Sequence, residues 1–318
     1  MAPSHRRSIG LVVLVAALAL IGAHSLGLTP TRAEVAEVMQ AARYVVAAPV
    51  VDPRPVPRWG HVTVIVLENR DYDEILGAPD APYRSSLARQ GAVAAATWDV
   101  ADASQPNYLA MTSGTTHLVT DNDAYDIDAP SIFDQLEAAG LTWRVSAEQY
   151  PGDCFLGESA SGGRDGPGEY VRAHNPAISF RSITTDPARC AAIQDLTAFE
   201  PRQADFEFIV PNACHNTHDC PVAVGDRWLS EVVPAILDAP GFWDDGLMVI
   251  TFDGGSDVGP GGGHRIAVTM VGAGVSPGTI SETRYDHYNV LRTIQEGMGL
   301  PCLARSCSAD TMADLFQR

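Results

Sequence analysis

HVTVIVLEN, residues 61–69, decides the fold. Six of its first seven residues are apolar or β-branched, and the run stops at two polar side chains. That is the signature of a strand buried on both faces and ended by a loop. The pattern recurs in FEFIVPN (206–212) and LMVITFD (247–253). Weaker strand patterns are AVAAATWDV (92–100), LTWRVSAE (141–148) and RIAVTMVGAGV (265–275). Helical patterns fall between them, at 81–90, 107–113, 131–139, 226–237 and 287–300. Alternating strands and helices predict an α/β protein with a mostly parallel central sheet between helices. Residues 151–170, rich in Gly, Ser, Asp and Pro, read as a surface loop, and 255–263 as a Gly-rich one.

In open α/β sheets, ligands bind beyond the carboxyl ends of the strands. Glu68, Asn69, Asn212 and Asp253 stand at such ends. Oxygen donors of this kind suit a hard divalent cation. The blander use of a strand-end Asp or Asn is a turn or a cap. Ser104, in ASQPNY (103–108), precedes a helix and is placed either as an N-cap or as a nucleophile. There is no GxSxG elbow, which argues against an α/β-hydrolase triad. CHNTHDC (214–220) packs two histidines and an aspartate into a short loop. His174, His264 and His287 are the other histidines of interest, each of which could equally be an ordinary surface or core residue.

Composition narrows the chemistry. Hydrophobic residues make up 46% of the 318 and charged residues 19%, which excludes global disorder. All 21 basic residues are arginine, so no lysine can form a Schiff base or serve a P-loop. The net charge of −18 argues against non-specific nucleic-acid binding. Arg6 and Arg7 followed by the apolar run 9–21 predict a signal peptide or N-terminal anchor over 1–33. The run is short for a membrane span. A linker follows at 34–57, with prolines in VVDPRPVP, and a single domain at 58–318. Contact with a membrane is expected only through the N-terminal segment or a lipid substrate. Six cysteines in an exported chain favour disulfides. Fifteen pairings are open. The spacing favours Cys214–Cys220 and Cys302–Cys307, leaving Cys154–Cys190. A structural zinc site is the weaker rival, because no CxxC pair exists.

Six blocks, in order, resemble the phosphoesterase family of acid phosphatases and bacterial phospholipases C, within the alkaline-phosphatase-like superfamily. They are HVTVIVLENRDYDEILG, SQPNYLAMTSG, AHNPAISF, FEFIVPNACHNTHDCPVAVGDRWL, MVITFDGG and DHYNVLRTIQEGMGLP. The resemblance implies an alkaline-phosphatase-like fold and an exported, metal-dependent phosphatase working through a phosphoserine, with phosphoinositides among its substrates. It implies Glu68, Asn69 and Asp253 as metal ligands and Ser104 as nucleophile. Asn122 would hold a phosphate oxygen, and His174, His218, Asp219 and His287 would line the pocket.

The chain departs from the family pattern in three places. Asp102-Ala103 replaces His-Pro before the nucleophile. His215-Asn216-Thr217-His218-Asp219 replaces Asn-Asp-Met-His-Asp. Gly254 replaces the acidic residue that follows the strand-end aspartate, with Asp257 the candidate substitute. These departures keep two alternatives open: a phospholipase C-type phosphodiesterase, and a degenerate member that binds a ligand without turnover. Arg70 and Arg265 are candidate phosphate donors by position alone.

Overall fold

The computed structural model describes residues 55–161, 169–256 and 263–317. The expected signal or anchor and most of the linker lie outside them, as does Asp257. Among the described residues no helix is long and apolar enough to cross a membrane.

The three strong apolar runs form the centre of a nine-stranded sheet. They are β1 (His61–Leu67), β5 (Phe206–Val210) and β6 (Gly246–Phe252). Around them lie β2 (Ala92–Trp98), β3 (Trp143–Ala147), β4 (Ile193–Asp195), β7 (Arg265–Gly272), β8 (Ile280–Ser281) and β9 (Tyr285–Asp286). The order is β8-β2-β7-β6-β1-β5-β3-β4, with β9 also paired to β2. All pairings are parallel except the two made by β7. Both faces of β1 are buried, and its side chains alternate between two apolar layers. Val62, Val64 and Val66 join Tyr108, Leu109, Leu291 and Ile294 on one face. Ile65 and Leu67 join Leu87, Trp228, Leu229 and Val233 on the other.

Register sets up the site. Leu67 pairs with Phe252, so Glu68 and Asp253 leave the sheet side by side. Trp98 pairs with Asp286 in parallel and with Arg265 in antiparallel register. Asp99 is thereby carried beside His287 and His264.

The helix expected from Asn107 begins at Ser104 and runs to Ser113. Pro106 is its third residue, where a missing N–H costs nothing. Ala103, not Ser104, occupies the cap position. The helix over Ile132–Ala138 is capped as its sequence suggests, with Ser131 and Asp134 forming a capping box. The segment read as a loop at 151–170 carries a short antiparallel hairpin, Ser159–Ser161 with Glu169–Val171. Cys154–Cys190, Cys214–Cys220 and Cys302–Cys307 are disulfides, as the spacing favoured.

Candidate active site

Glu68 and Asp253 are the centre of the site, and they are 0% and 1% exposed. The Ser104 hydroxyl donates to Glu68 Oε2 at 3.2 Å, and Ser104 is among the groups that act to lower the Asp253 pKa. Tyr108, one helical turn after Ser104, donates its hydroxyl to Glu68 Oε1 at 2.9 Å. His174 Nε2 lies 2.9 Å from the same oxygen, its ring stacked on Tyr108. Burial, then the Glu68 charge, push the Tyr108 phenol well above its ordinary value, so it remains a donor. Burial, then repulsion from Glu68, push the Asp253 carboxyl well above its ordinary value.

Asn69 sits in the left-handed region, φ 48°, which asparagine tolerates better than most residues. Its N–H faces Asp253 Oδ1 at 3.5 Å. The turn is braced from outside by the Cys214–Cys220 loop. Glu68 N–H donates to Asn216 O at 2.8 Å, and the Thr217 hydroxyl donates to Glu68 O at 2.9 Å. Arg70 closes the brace, donating to Thr217 O and Cys220 O.

Other candidates take different places. Asn122 is exposed, and its Oδ1 accepts the Gln105 N–H at 2.9 Å, capping the Ser104 helix while its amide N–H groups remain donors. His287 is fully buried and donates Nε2–H to Asp253 O at 2.6 Å; burial lowers its pKa. His218 and Asp219 are about half exposed and pair with each other at 2.7 Å. His215 binds Glu148 and stacks on Trp228. Asn212 accepts N–H groups from Cys214 and His215, the turn-forming role. Arg265 donates to Ala95 O and stacks on the Tyr72 ring at 4.1 Å. Both candidate arginines are therefore engaged in holding the fold.

Sequence reasoning passed over Tyr108, Asn107 and Asp99. Asn107 clamps the loop before Ser104: its Oδ1 accepts from Val100 and Ala101 N–H, and its Nδ2 donates to Ala101 O and Ala103 O. Asp99 pairs with His264, whose pKa that hydrogen bond raises.

Among the described residues no three His, Cys, Asp or Glu side chains form a ready metal cage. The donor set is mixed: two carboxylates, the Asn69 amide and the Ser104 hydroxyl. That set fits a hard divalent cation, and the fit rests on two buried carboxylates at the ends of adjacent strands.

A model of the phosphoesterase family matches residues 78–301. A phosphatidylinositol-3-phosphatase of Mycobacterium tuberculosis is 31% identical over 265 residues, 82% of this chain and 84% of that protein. A phosphate-repressible acid phosphatase of Penicillium chrysogenum is 29% identical over 316 residues, 95% of this chain and 74% of that protein. Among solved structures, a Vibrio parahaemolyticus protein of the alkaline phosphatase superfamily matches with a TM-score of 0.55 at 11% identity, covering 91% of this chain and 82% of its own. The lipoteichoic acid synthase LtaP of Listeria monocytogenes matches with a TM-score of 0.54 at 11% identity, covering 89% and 80%. The fold is alkaline-phosphatase-like.

Proposed function

The chain belongs to the phosphoesterase family and is a hydrolase of phosphoric esters, and on that premise we propose that it is an exported, metal-dependent phosphatase whose nucleophile is Ser104. The observation that carries this reading is the Ser104 hydroxyl donated to buried Glu68, beside buried Asp253. Glu68, Asn69 and Asp253 would hold the cation. Bound there, it supplies Lewis acidity and neutralises phosphate charge.

Ser104 gives up its proton along the hydrogen bond it already makes. Its Oγ forms a bond to phosphorus as the ester P–O bond breaks and the alcohol leaves with a proton; water then attacks phosphorus, the Oγ–P bond breaks, and the serine regains its proton as phosphate departs. Ser104 opens a ten-residue helix, so its N-terminal dipole favours the anion. Asn122 Nδ2 would hold a phosphate oxygen. Tyr108 and His174 fix the Glu68 carboxylate so that it need not reorganise during the reaction.

Phosphomonoesters, phosphoinositides among them, are the proposed substrates, supported by the names of the relatives. Export is supported by the three disulfides. A phospholipase C-type diesterase is the second reading. The commitment of Arg70 and Arg265 to backbone carbonyls favours it, because a monoester dianion needs more positive charge than a diester.

The test compares p-nitrophenol release from p-nitrophenyl phosphate and bis(p-nitrophenyl) phosphate, after chelation and after return of Mg²⁺ or Mn²⁺. Metal-restored monoester turnover is expected. Full activity in chelated protein, confirmed metal-free by elemental analysis, overturns the metal-dependent reading. Faster turnover of the diester selects the second one.

A further inference from the structure

We propose that Thr217 is a positioning residue for the active site, its hydroxyl fixing the turn from which the Glu68 carboxylate meets Ser104. The inference rests on the reading of Glu68 and Ser104 given above and adds to it the group that holds them together.

Thr217 has an unusual backbone. Its φ is 80°, in the left-handed region. A β-branched residue is a genuine outlier there, and such strain persists only where the surroundings over-determine it. Here they do. The Thr217 N–H donates to Cys214 O at 3.2 Å, and its carbonyl accepts from Arg70 Nη2 at 2.8 Å. Its hydroxyl donates to Glu68 O at 2.9 Å, and the residue is buried. The methyl is enclosed as well. A Cβ built on Gly225 would lie 2.3 Å from Thr217 Cγ2, so the bare backbone of that glycine, in the first turn of helix Val222–Leu237, leaves the room the threonine fills.

What the strained residue holds is the backbone of Glu68. Glu68 is the first residue past β1, and both of its backbone polar groups meet this loop: the N–H goes to Asn216 O and the carbonyl receives the Thr217 hydroxyl. Thr217 serves the far end of the turn too, because the Arg70 that its carbonyl holds donates to Asn69 O at 3.2 Å. Without the hydroxyl the buried Glu68 carbonyl loses its partner in the loop, a costly state that rotation of the peptide relieves. That rotation would move Asn69 and swing the Glu68 carboxylate away from Ser104, Tyr108 and His174, which now meet it at 3.2, 2.9 and 2.9 Å. A misplacement of about 1 Å can cost about a hundredfold in rate. The groups proposed to hold phosphate, Asn122 and the start of the Ser104 helix, lie outside this turn, so the loss should fall on kcat and not on KM.

The test measures p-nitrophenyl phosphate turnover, with Mg²⁺ or Mn²⁺ present, and urea unfolding of the full chain. Wild type, Thr217→Ser, Thr217→Val, Thr217→Gly and Glu68→Gln are compared. Serine keeps the hydroxyl, valine keeps the branched shape and its strain, and glycine removes the strain. Thr217→Val and Thr217→Gly are each expected to lose about tenfold or more in kcat, with KM within about threefold of wild type, and Thr217→Ser to keep kcat within about threefold. A merely structural role would make activity follow the unfolding midpoint whatever the side chain. Wild-type kcat in folded Thr217→Val or Thr217→Gly, or kcat that ranks with stability and not with the hydroxyl, overturns the proposal; an impaired Glu68→Gln then leaves the site reading intact. If Glu68→Gln turns over as fast as wild type, or wild type does not turn over at all, that reading falls and the proposal with it. If Thr217→Val does not fold, the contrast of Thr217→Gly with Thr217→Ser carries the test: a loss in glycine alone supports the proposal, and equal kcat in the two overturns it.

Discussion

Replacing Asp253 by asparagine should stabilise the metal-free protein while destroying its activity. Glu68 and Asp253 are both buried and leave adjacent strands side by side, and Glu68 accepts the Ser104 hydroxyl. Neighbouring strands lie about 4.8 Å apart, which sets carboxylates at adjacent strand ends roughly 6 Å apart. At an effective dielectric of about 20, two unit charges at that distance repel by about 3 kcal/mol. Asparagine keeps the shape and an acceptor oxygen but removes one charge. For a domain of this size the relief corresponds to a rise in melting temperature of roughly 6–12 °C. The sign with pH follows from the raised Asp253 pKa. The folded chain holds a proton that the unfolded chain releases above pH 3.8, so stability falls as pH rises from there toward the raised value. The gain from Asp253→Asn should therefore be larger at pH 7 than at pH 4. Urea unfolding of chelated wild type and variant at both values measures it. A variant no more stable than wild type at pH 7 would refute the claim that these carboxylates repel.

The nucleophile, a buried donor, the brace and a distal histidine give four further expectations. Ser104→Ala should lower kcat by several orders of magnitude with an unchanged unfolding curve; near wild-type turnover would point to direct attack by water. Tyr108→Phe removes a buried hydrogen bond to Glu68 and should cost about 1–3 kcal/mol in urea unfolding; a neutral result would mean the phenol is dispensable. Serine at both Cys214 and Cys220 removes a bridge typically worth ~2–4 kcal/mol. Because Asn216 and Thr217 hold Glu68, kcat should fall even well below the melting point, and full activity there would show that the brace is passive. Burial lowers the His117 pKa, so the unfolded chain binds its proton first and stability is lost as pH falls through 6.5. His117→Asn should flatten that loss in a melting series from pH 7.5 to 5, and an identical slope would contradict it.

The centre of the sheet was legible because β1, β5 and β6 are long apolar runs with polar stops. β4, β8 and β9 have only two or three residues. Segments that short carry no periodicity and form because neighbouring strands offer a paired edge. The start of the Ser104 helix was read three residues late, at Asn107, just after Pro106; the first helical turn tolerates proline, and Asn107 turns its side chain back onto the preceding loop. The strand-end rule found Glu68 and Asp253 but also selected Asn212, which spends its oxygen on a turn. Asp99 was invisible for the opposite reason. It falls inside the strand pattern AVAAATWDV, and its partner His264 arrives from more than 150 residues away. Only the register of Trp98 with Arg265 brings them together.

Charge balance ties stability to ligand. The site gathers buried carboxylates in a chain without lysine, and the nearby arginines bind backbone carbonyls. His174 is the basic side chain that meets Glu68. A cation held by the folded state alone stabilises it by about 2.7 kcal/mol at a hundredfold excess over Kd. That is close to the about 3 kcal/mol of repulsion estimated between Glu68 and Asp253. The two effects should therefore nearly cancel, and wild type with cation should melt close to Asp253→Asn without it. Adding cation to Asp253→Asn should gain far less, because both the charge to be neutralised and one ligand are gone. A variant that still gained the full wild-type shift would show that the stabilising cation binds somewhere other than between these strands.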